Sequence, residues 1–102
     1  MVHYTIVKLH PYPDGSFGTR SPMVENLPTL TAARRYAQRM DEHRYWGIVK
    51  VSGADEKYMG MVFRRNFATK KGYQILWSWV GNDKTSGLYI LNKDGSLARR
   101  VY

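Results

Sequence analysis

The sequence predicts a single α+β domain in which one helix packs on a mostly antiparallel sheet of about five or six strands. Three observations support this. The chain has 102 residues, the length of one small domain. One segment, at about residues 30–43, repeats its apolar residues with the helical period. Short segments of alternating apolar and polar residues, separated by turn residues, fill most of the rest.

The first two predicted strands precede the helix. Residues 2–9 alternate apolar and polar side chains, as a half-buried strand does. Pro13-Asp14-Gly15 follows as a strong turn signal. Residues 17–24 read as a return strand, and Pro22 confines that strand to a sheet edge because proline cannot donate to a strand ladder.

The helix has a clear beginning. Thr29 is a good N-cap and follows Pro28. At 100° per residue, one arc of about 120° is apolar. The residues of that arc are Leu30, Ala33, Tyr36, Ala37 and Met40. We expect this face to lie on the sheet, with the small alanines permitting a close approach.

The remaining strands follow the helix and are separated by turns and loops. They are predicted at residues 45–51, 57–65, 73–80, 88–92 and 96–102. Residues 66–72 are predicted as a loop. Lys93-Asp94-Gly95 indicates a hairpin in which Gly95 takes the left-handed position.

Composition excludes several classes of protein. The absence of cysteine removes disulfides, thiolate metal sites and cysteine nucleophiles. No apolar run approaches the roughly 20 residues of a membrane span, so we expect no membrane partner. The first ten residues lack the apolar block of a signal peptide, so we expect a cytoplasmic protein.

Charge gives the best lead to function. The net charge is +8, and residues 57–82 contain five cations and no carboxylate. Such a block attracts phosphates, and binding would release counterions. Within it, four cations surround one aromatic residue that could stack on an unpaired base. The candidate site residues there are Arg64, Arg65, Phe67, Lys70 and Lys71. The alternative is an ordinary solvated loop.

Two further features have a functional and a structural interpretation. Arg35 and Arg39 lie one helical turn apart and could bind an acidic ligand, but we favour pairing with Glu42 or its neighbours on the same helix. Tyr73, Ile75, Trp77 and Trp79 share one face of a strand. If they were exposed, Tyr73, Trp77 and Trp79 would form a platform on which bases could stack. We expect them to be core, since a small domain needs its tryptophans inside.

Catalytic signals are weak. His3, His10 and His43 lack metal-ligand spacing, and no phosphate loop or nucleophile elbow is present. We therefore expect no metal, no cofactor and no enzymatic activity. The chain is similar in size and charge to the small bacterial mRNA-cleaving toxins, which act without metal. It departs from them in beginning with a strand and in having one helix.

The sequence thus predicts a non-enzymatic basic protein that contacts DNA, RNA or a nucleoprotein through a Lys/Arg surface. A second hypothesis is a phage- or mobile-element-type inhibitor, of the anti-defence or anti-CRISPR kind, that binds a host nucleic-acid-processing protein such as a nuclease. A metal-independent endoribonuclease is a third. An edge strand would also allow a homodimer.

Overall fold

The computed structural model describes residues 1–40, 42–82 and 87–101. For residues 19–21 it describes the backbone alone. The described residues form one helix and one seven-stranded sheet. This confirms the predicted α+β class, and each of the seven segments predicted as strands contributes one strand, so the sheet is larger than the five or six strands expected overall. The elements in chain order are β1 (Val2–Pro11), β2 (Phe17–Leu27), α1 (Leu30–Arg39), β3 (Tyr45–Ser52), β4 (Asp55–Thr69), β5 (Gly72–Gly81), β6 (Leu88–Leu91) and β7 (Leu97–Arg100).

The sheet is antiparallel and has the order β2-β1-β3-β4-β5-β6-β7. β2 lies at one edge, as Pro22 predicted, and Pro22 is paired with Val7 of β1. The register between these two strands shifts three times. Such irregularity is tolerated at an edge, where half of the backbone groups face solvent.

The main core lies between α1 and one face of the sheet, called the helix side below. Ala33 and Ala37 are fully buried there. Because their side chains are small, the helix comes close to the large residues beneath it. The buried sheet residues in this core are Ile6, Trp46, Ile48, Val62, Trp79 and Leu91.

The helix begins as predicted and ends earlier. Thr29 Oγ1 accepts a hydrogen bond from Ala32 N–H at 3.0 Å. At the other end, Met40 leaves the helical conformation, and its carbonyl accepts a hydrogen bond from Trp46 Nε1 at 2.8 Å. The predicted end near His43 is therefore wrong. The indole takes a carbonyl at the helix end, and α1 stops at Arg39.

Tyr36 was predicted to lie on the buried face of the helix, but Arg34 is buried in its place. Tyr36 is exposed, whereas Arg34 is 5 % exposed. The Arg34 guanidinium lies 4.5 Å from the centre of a Trp79 ring and donates to the Gly95 carbonyl at 3.3 Å. Burial lowers the pKa of Arg34. The helix is thus rotated towards β5 and the β6–β7 turn, where a flat cation can stack on indole.

The chain contains the same turn twice, at Asp14-Gly15-Ser16 and at Asp94-Gly95-Ser96. In each turn the aspartate Oδ1 accepts bonds from the serine backbone N–H at 2.9 Å and from the serine hydroxyl at 2.6 Å. Both glycines have positive φ, +88° and +92°. The left-handed conformation predicted for Gly95 is confirmed.

The second copy of this turn fixes the helix to the far end of the sheet. A Cβ on Gly95 would lie 2.2 Å from the Thr31 carbonyl oxygen and 2.7 Å from Arg35 N. Gln38 Nε2 also donates to the Asn92 carbonyl at 2.9 Å. The absence of a side chain at Gly95 therefore sets how closely β6 and β7 approach α1.

The β4–β5 hairpin extends beyond its neighbouring strands. Pairing of β3 with β4 ends at Tyr45–Phe63, and pairing of β6 with β5 ends at Ser78–Ile90. Residues 64–69 and 72–77 continue the hairpin as a two-stranded ribbon, called the arm below, about 20 Å long at 3.3 Å per residue. The loop predicted at 66–72 is therefore wrong, because the connection consists of Lys70 and Lys71 alone.

The two copies of the turn provide a matched test of the helix contact. Gly15→Ala introduces backbone strain alone, since a Cβ at that position would have nothing within 4 Å, and should cost about 1 kcal/mol. Gly95→Ala adds the clash with α1 and should lower the free energy of unfolding by about 2–4 kcal/mol. Urea unfolding of both variants measures the difference. Equal losses would show that the turn does not hold the helix.

Candidate nucleic-acid interface

The arm has two faces, and the predicted cations divide between them. Because side chains alternate along a strand, Arg64 lies on the helix side and Arg65 on the opposite face. Arg65 lies there with Phe67, its guanidinium 5.5 Å from the ring centre. The prediction of one site formed by Arg64, Arg65, Phe67, Lys70 and Lys71 is therefore wrong in that Arg64 and Arg65 lie on opposite faces. A flexible loop would have allowed a single site, but a regular strand does not.

On the helix side, Arg64 lies beside an aromatic ring and a second arginine. Its guanidinium is 5.4 Å from the centre of a Trp77 ring. Arg44, just before β3, donates from Nε to the Arg64 carbonyl at 3.4 Å. Arg44 and Arg64 line an open cavity of about 230 Å³ with Asn66 and Ile75. The base of the arm thus carries two arginines on one face.

A larger cavity of about 400 Å³ lies between α1 and β5. It is lined by Arg35, Gln38 and Arg39 from the helix, Trp77 from β5, and Lys93 from the β6–β7 turn. Three cations therefore surround one aromatic ring. The contacts of Gly95 and Gln38 with their partners bring Lys93 to this place.

The expected pairing of Arg35 and Arg39 with carboxylates of their own helix loses its helical spacing to Glu42. Glu42 lies beyond the end of α1, so the one-turn spacing from Arg39 is lost. Asp41 lies outside the described residues. Arg35 acts on the carboxylate of Asp94, in the β6–β7 turn. Hydrogen bonds from Ser96 hold the pKa of Asp94 below its ordinary value of 3.8, and Arg35 lowers it further.

The predicted aromatic stripe changes from buried to exposed along β5. Trp79 is fully buried, Trp77 is half-buried, and Ile75 and Tyr73 are 65 % and 81 % exposed. The core interpretation is confirmed for Trp79 and wrong for Tyr73. The reason is that Trp79 lies within the sheet and packs in the core with Ala33 and Ala37, whereas Tyr73 lies near the tip of the arm.

These groups form one surface on the helix side, called the basic strip below. It begins between α1 and β5, passes over Trp77 and ends at the tip of the arm. Its aromatic and apolar residues are Tyr73, Ile75 and Trp77, and its cations are Arg35, Arg39, Arg44, Arg64 and Lys93, together with Lys70 and Lys71 in the turn at the tip of the arm. The sequence pattern assigned Lys93 to a hairpin turn alone, because this residue joins the strip only through the tertiary fold.

Three of the described carboxylates lie away from this surface. Glu25 and Glu56 line a cavity of about 170 Å³ with His3 on the opposite face of the sheet. Asp55 lies with Lys50 and Lys57 at the β3–β4 turn, the far end of β4 from the arm. The arm itself contains no Asp or Glu. These three carboxylates and the arm therefore lie in different parts of the sheet.

Comparison of the chain with protein-family models, curated proteins and solved structures finds no match. No three His, Asp or Glu side chains of the described residues are placed to hold a metal ion together. Within the same residues, no helix is long and apolar enough to cross a membrane.

The two aspartate turns predict a measurable effect of Arg35. Asp14 and Asp94 share the same serine bonds, which lower both pKa values, but Arg35 acts on Asp94 alone. We expect Asp94 to titrate below Asp14, and Arg35→Gln to raise the pKa of Asp94 without moving that of Asp14. Carboxyl NMR shifts measure both values.

The sign of the linked stability follows from these shifts. A lowered folded-state pKa stabilises the protein fully above the unfolded value of about 4, and the contribution is lost as the pH falls below it. Identical titration of the two aspartates in the wild-type protein would contradict the proximity of Arg35 to Asp94.

Proposed function

We propose that this protein binds nucleic acid along the basic strip and acts without catalysing a reaction. The observation that carries the proposal is the convergence of four cations around Trp77 from three parts of the chain. Arg35 and Arg39 come from α1, Arg64 from β4 and Lys93 from the β6–β7 turn. Arg44, from the segment before β3, lines a second cavity with Arg64.

Electrostatics supports phosphate as the ligand group. Seven cations follow one surface that includes a carboxylate-free arm in a chain of net charge +8. Like charges held this close repel one another, and a polyanion relieves the repulsion while releasing its own counterions. Arginine and lysine side chains are the usual phosphate contacts of nucleic-acid-binding proteins.

Neutralising the tip of the arm tests the proposal. Lys70→Gln/Lys71→Gln removes two cations from the basic strip, whereas Lys50→Gln/Lys57→Gln removes two from the other end of β4, about 40 Å away by strand length. Loss of two phosphate contacts should weaken binding and reduce the slope of log K against log salt by about 1.4–1.8. Fluorescence anisotropy of labelled DNA and RNA at several salt concentrations measures both quantities.

The control variant separates a local site from total charge. It should retain the wild-type slope and nearly the wild-type affinity. Equal weakening by the two double variants would mean that net charge alone attracts the nucleic acid. Wild-type affinity that does not change with salt would contradict the proposal. Cleavage of RNA by the pure protein in EDTA would contradict its non-enzymatic part.

A second candidate function is inhibition of a host protein, and the arm is the observation that favours it. Ile75 and Tyr73 are exposed on a ribbon whose outer edges pair with no other described strand. Such edges can add to a partner's sheet, and the cations would speed docking to an acidic surface. A stoichiometric protein partner that survives nuclease treatment of a lysate would favour this candidate, and loss of the partner with the nucleic acid would favour the first.

A further inference from the structure

The geometry of the arm points to single-stranded nucleic acid, with unpaired bases stacked on Tyr73 and Trp77. This inference rests on the proposed function and specifies its ligand. The relevant side chains lie on one face of β5 at every second position: Tyr73, Ile75 and Trp77. They continue from the cavity beside α1 to within two residues of the Lys70-Lys71 turn.

The spacing of these side chains favours an unstacked strand. Alternate residues of a β-strand are about 6.6–6.8 Å apart. The bases of one strand in a duplex repeat every 3.4 Å, about half that distance. A nucleic-acid strand that follows β5 can therefore place one base after another on Tyr73, Ile75 and Trp77 only if that strand is extended and its bases are separated. A duplex keeps its base faces covered and cannot offer them to Tyr73.

Exposure of the aromatic residues supports the same ligand. Tyr73 is 81 % exposed on a two-stranded ribbon, where neither strand has a further neighbour beyond Phe63 and Ser78 among the described residues. A two-stranded ribbon is only marginally stable in water. The apolar side chains of the arm that remain exposed do not contribute to its folding, because only buried apolar area stabilises a fold. Stacking on bases would bury these side chains, and every base has a face that can stack.

Cations next to Trp77 complete the arrangement. Arg64 is paired with Trp77 across the β4–β5 ladder and lies over its ring, and Arg39 and Lys93 line the cavity that Trp77 shares with α1. A strand that crosses Trp77 therefore has cations for its phosphates from both β4 and the α1 cavity. An aromatic surface between cations is the usual plan of sites that bind single strands without sequence preference.

The test uses the full chain and four labelled probes of one sequence. These are single-stranded DNA, the same strand as RNA, its DNA duplex, and the DNA strand with abasic positions. We expect both intact single strands to bind more tightly than the duplex and the abasic strand. DNA and RNA should both bind, because stacking needs no 2′-hydroxyl group.

Substitutions at Tyr73 separate stacking from charge. Tyr73→Ala should weaken single-strand binding by roughly 5- to 10-fold and leave duplex binding unchanged, whereas Tyr73→Phe retains the ring and the affinity. Tyr12→Ala, which removes a half-exposed ring from the β1–β2 turn, is the matched control and should have no effect. Because Tyr73 is so exposed, its removal does not endanger folding.

Tryptophan emission gives an independent readout. Of the three tryptophans, Trp46 and Trp79 are fully buried and Trp77 is half-buried, so quenching by a bound base reports Trp77. Quenching by single strands and not by duplex supports the inference. Equal salt-dependent binding of all four probes, unaffected by Tyr73→Ala, overturns it while the proposed function stands. Failure of every probe to bind overturns both.

Discussion

The close packing of α1 on the sheet is the constraint on which the rest of the structure depends. Two alanines, Ala33 and Ala37, allow the helix to lie directly over the indoles of the sheet. Gly95 allows the β6–β7 turn to come against the first turns of the same helix. A larger side chain at Ala33 or Ala37 would move α1 away from the sheet, and one at Gly95 would move the β6–β7 turn away from α1. The cavity floored by Trp77 exists because α1 lies this close and ends at Arg39.

Unequal strand lengths create the second half of the surface. β4 has 15 residues, whereas β3 has eight and β6 has four. The hairpin of β4 and β5 therefore continues into solvent after its neighbours have ended. Its side chains alternate between two faces, which separates Arg64 from Arg65 and gathers Tyr73, Ile75 and Trp77 on the helix side. Strand length thus determines which residues are available to a ligand.

Arg34 and Arg35 are neighbours in α1, but the first is buried in the fold and the second is exposed at the candidate site. The Arg34 guanidinium stacks on Trp79 and bonds the Gly95 carbonyl, so it links helix, sheet and turn. Its neighbour Arg35 is exposed and lies at the cavity with Arg39 and Lys93. Two adjacent arginines therefore have different roles, because the side chains of successive helix residues point in directions about 100° apart. Net charge counts them together, although only one is accessible to a polyanion.

Local chemistry in the sequence determined much of this protein. The Thr29 N-cap, the edge position of Pro22 and the left-handed Gly95 turn were predictable, because each depends on the properties of one residue and its immediate neighbours. The burial of Trp79 was predictable from size and apolarity. Strand alternation also placed Tyr73, Trp77 and Trp79 on one face.

Tertiary structure alone decided the rest. The helix end depends on the indole of Trp46 reaching the Met40 carbonyl. The length of the arm depends on where β3 and β6 stop, which lies outside the hairpin's own sequence. Arg44 and Lys93 reach the basic strip from distant parts of the chain. Sequence patterns report local preference, whereas these features are set by contacts between elements far apart in the chain, and a single sequence does not encode those contacts as a pattern.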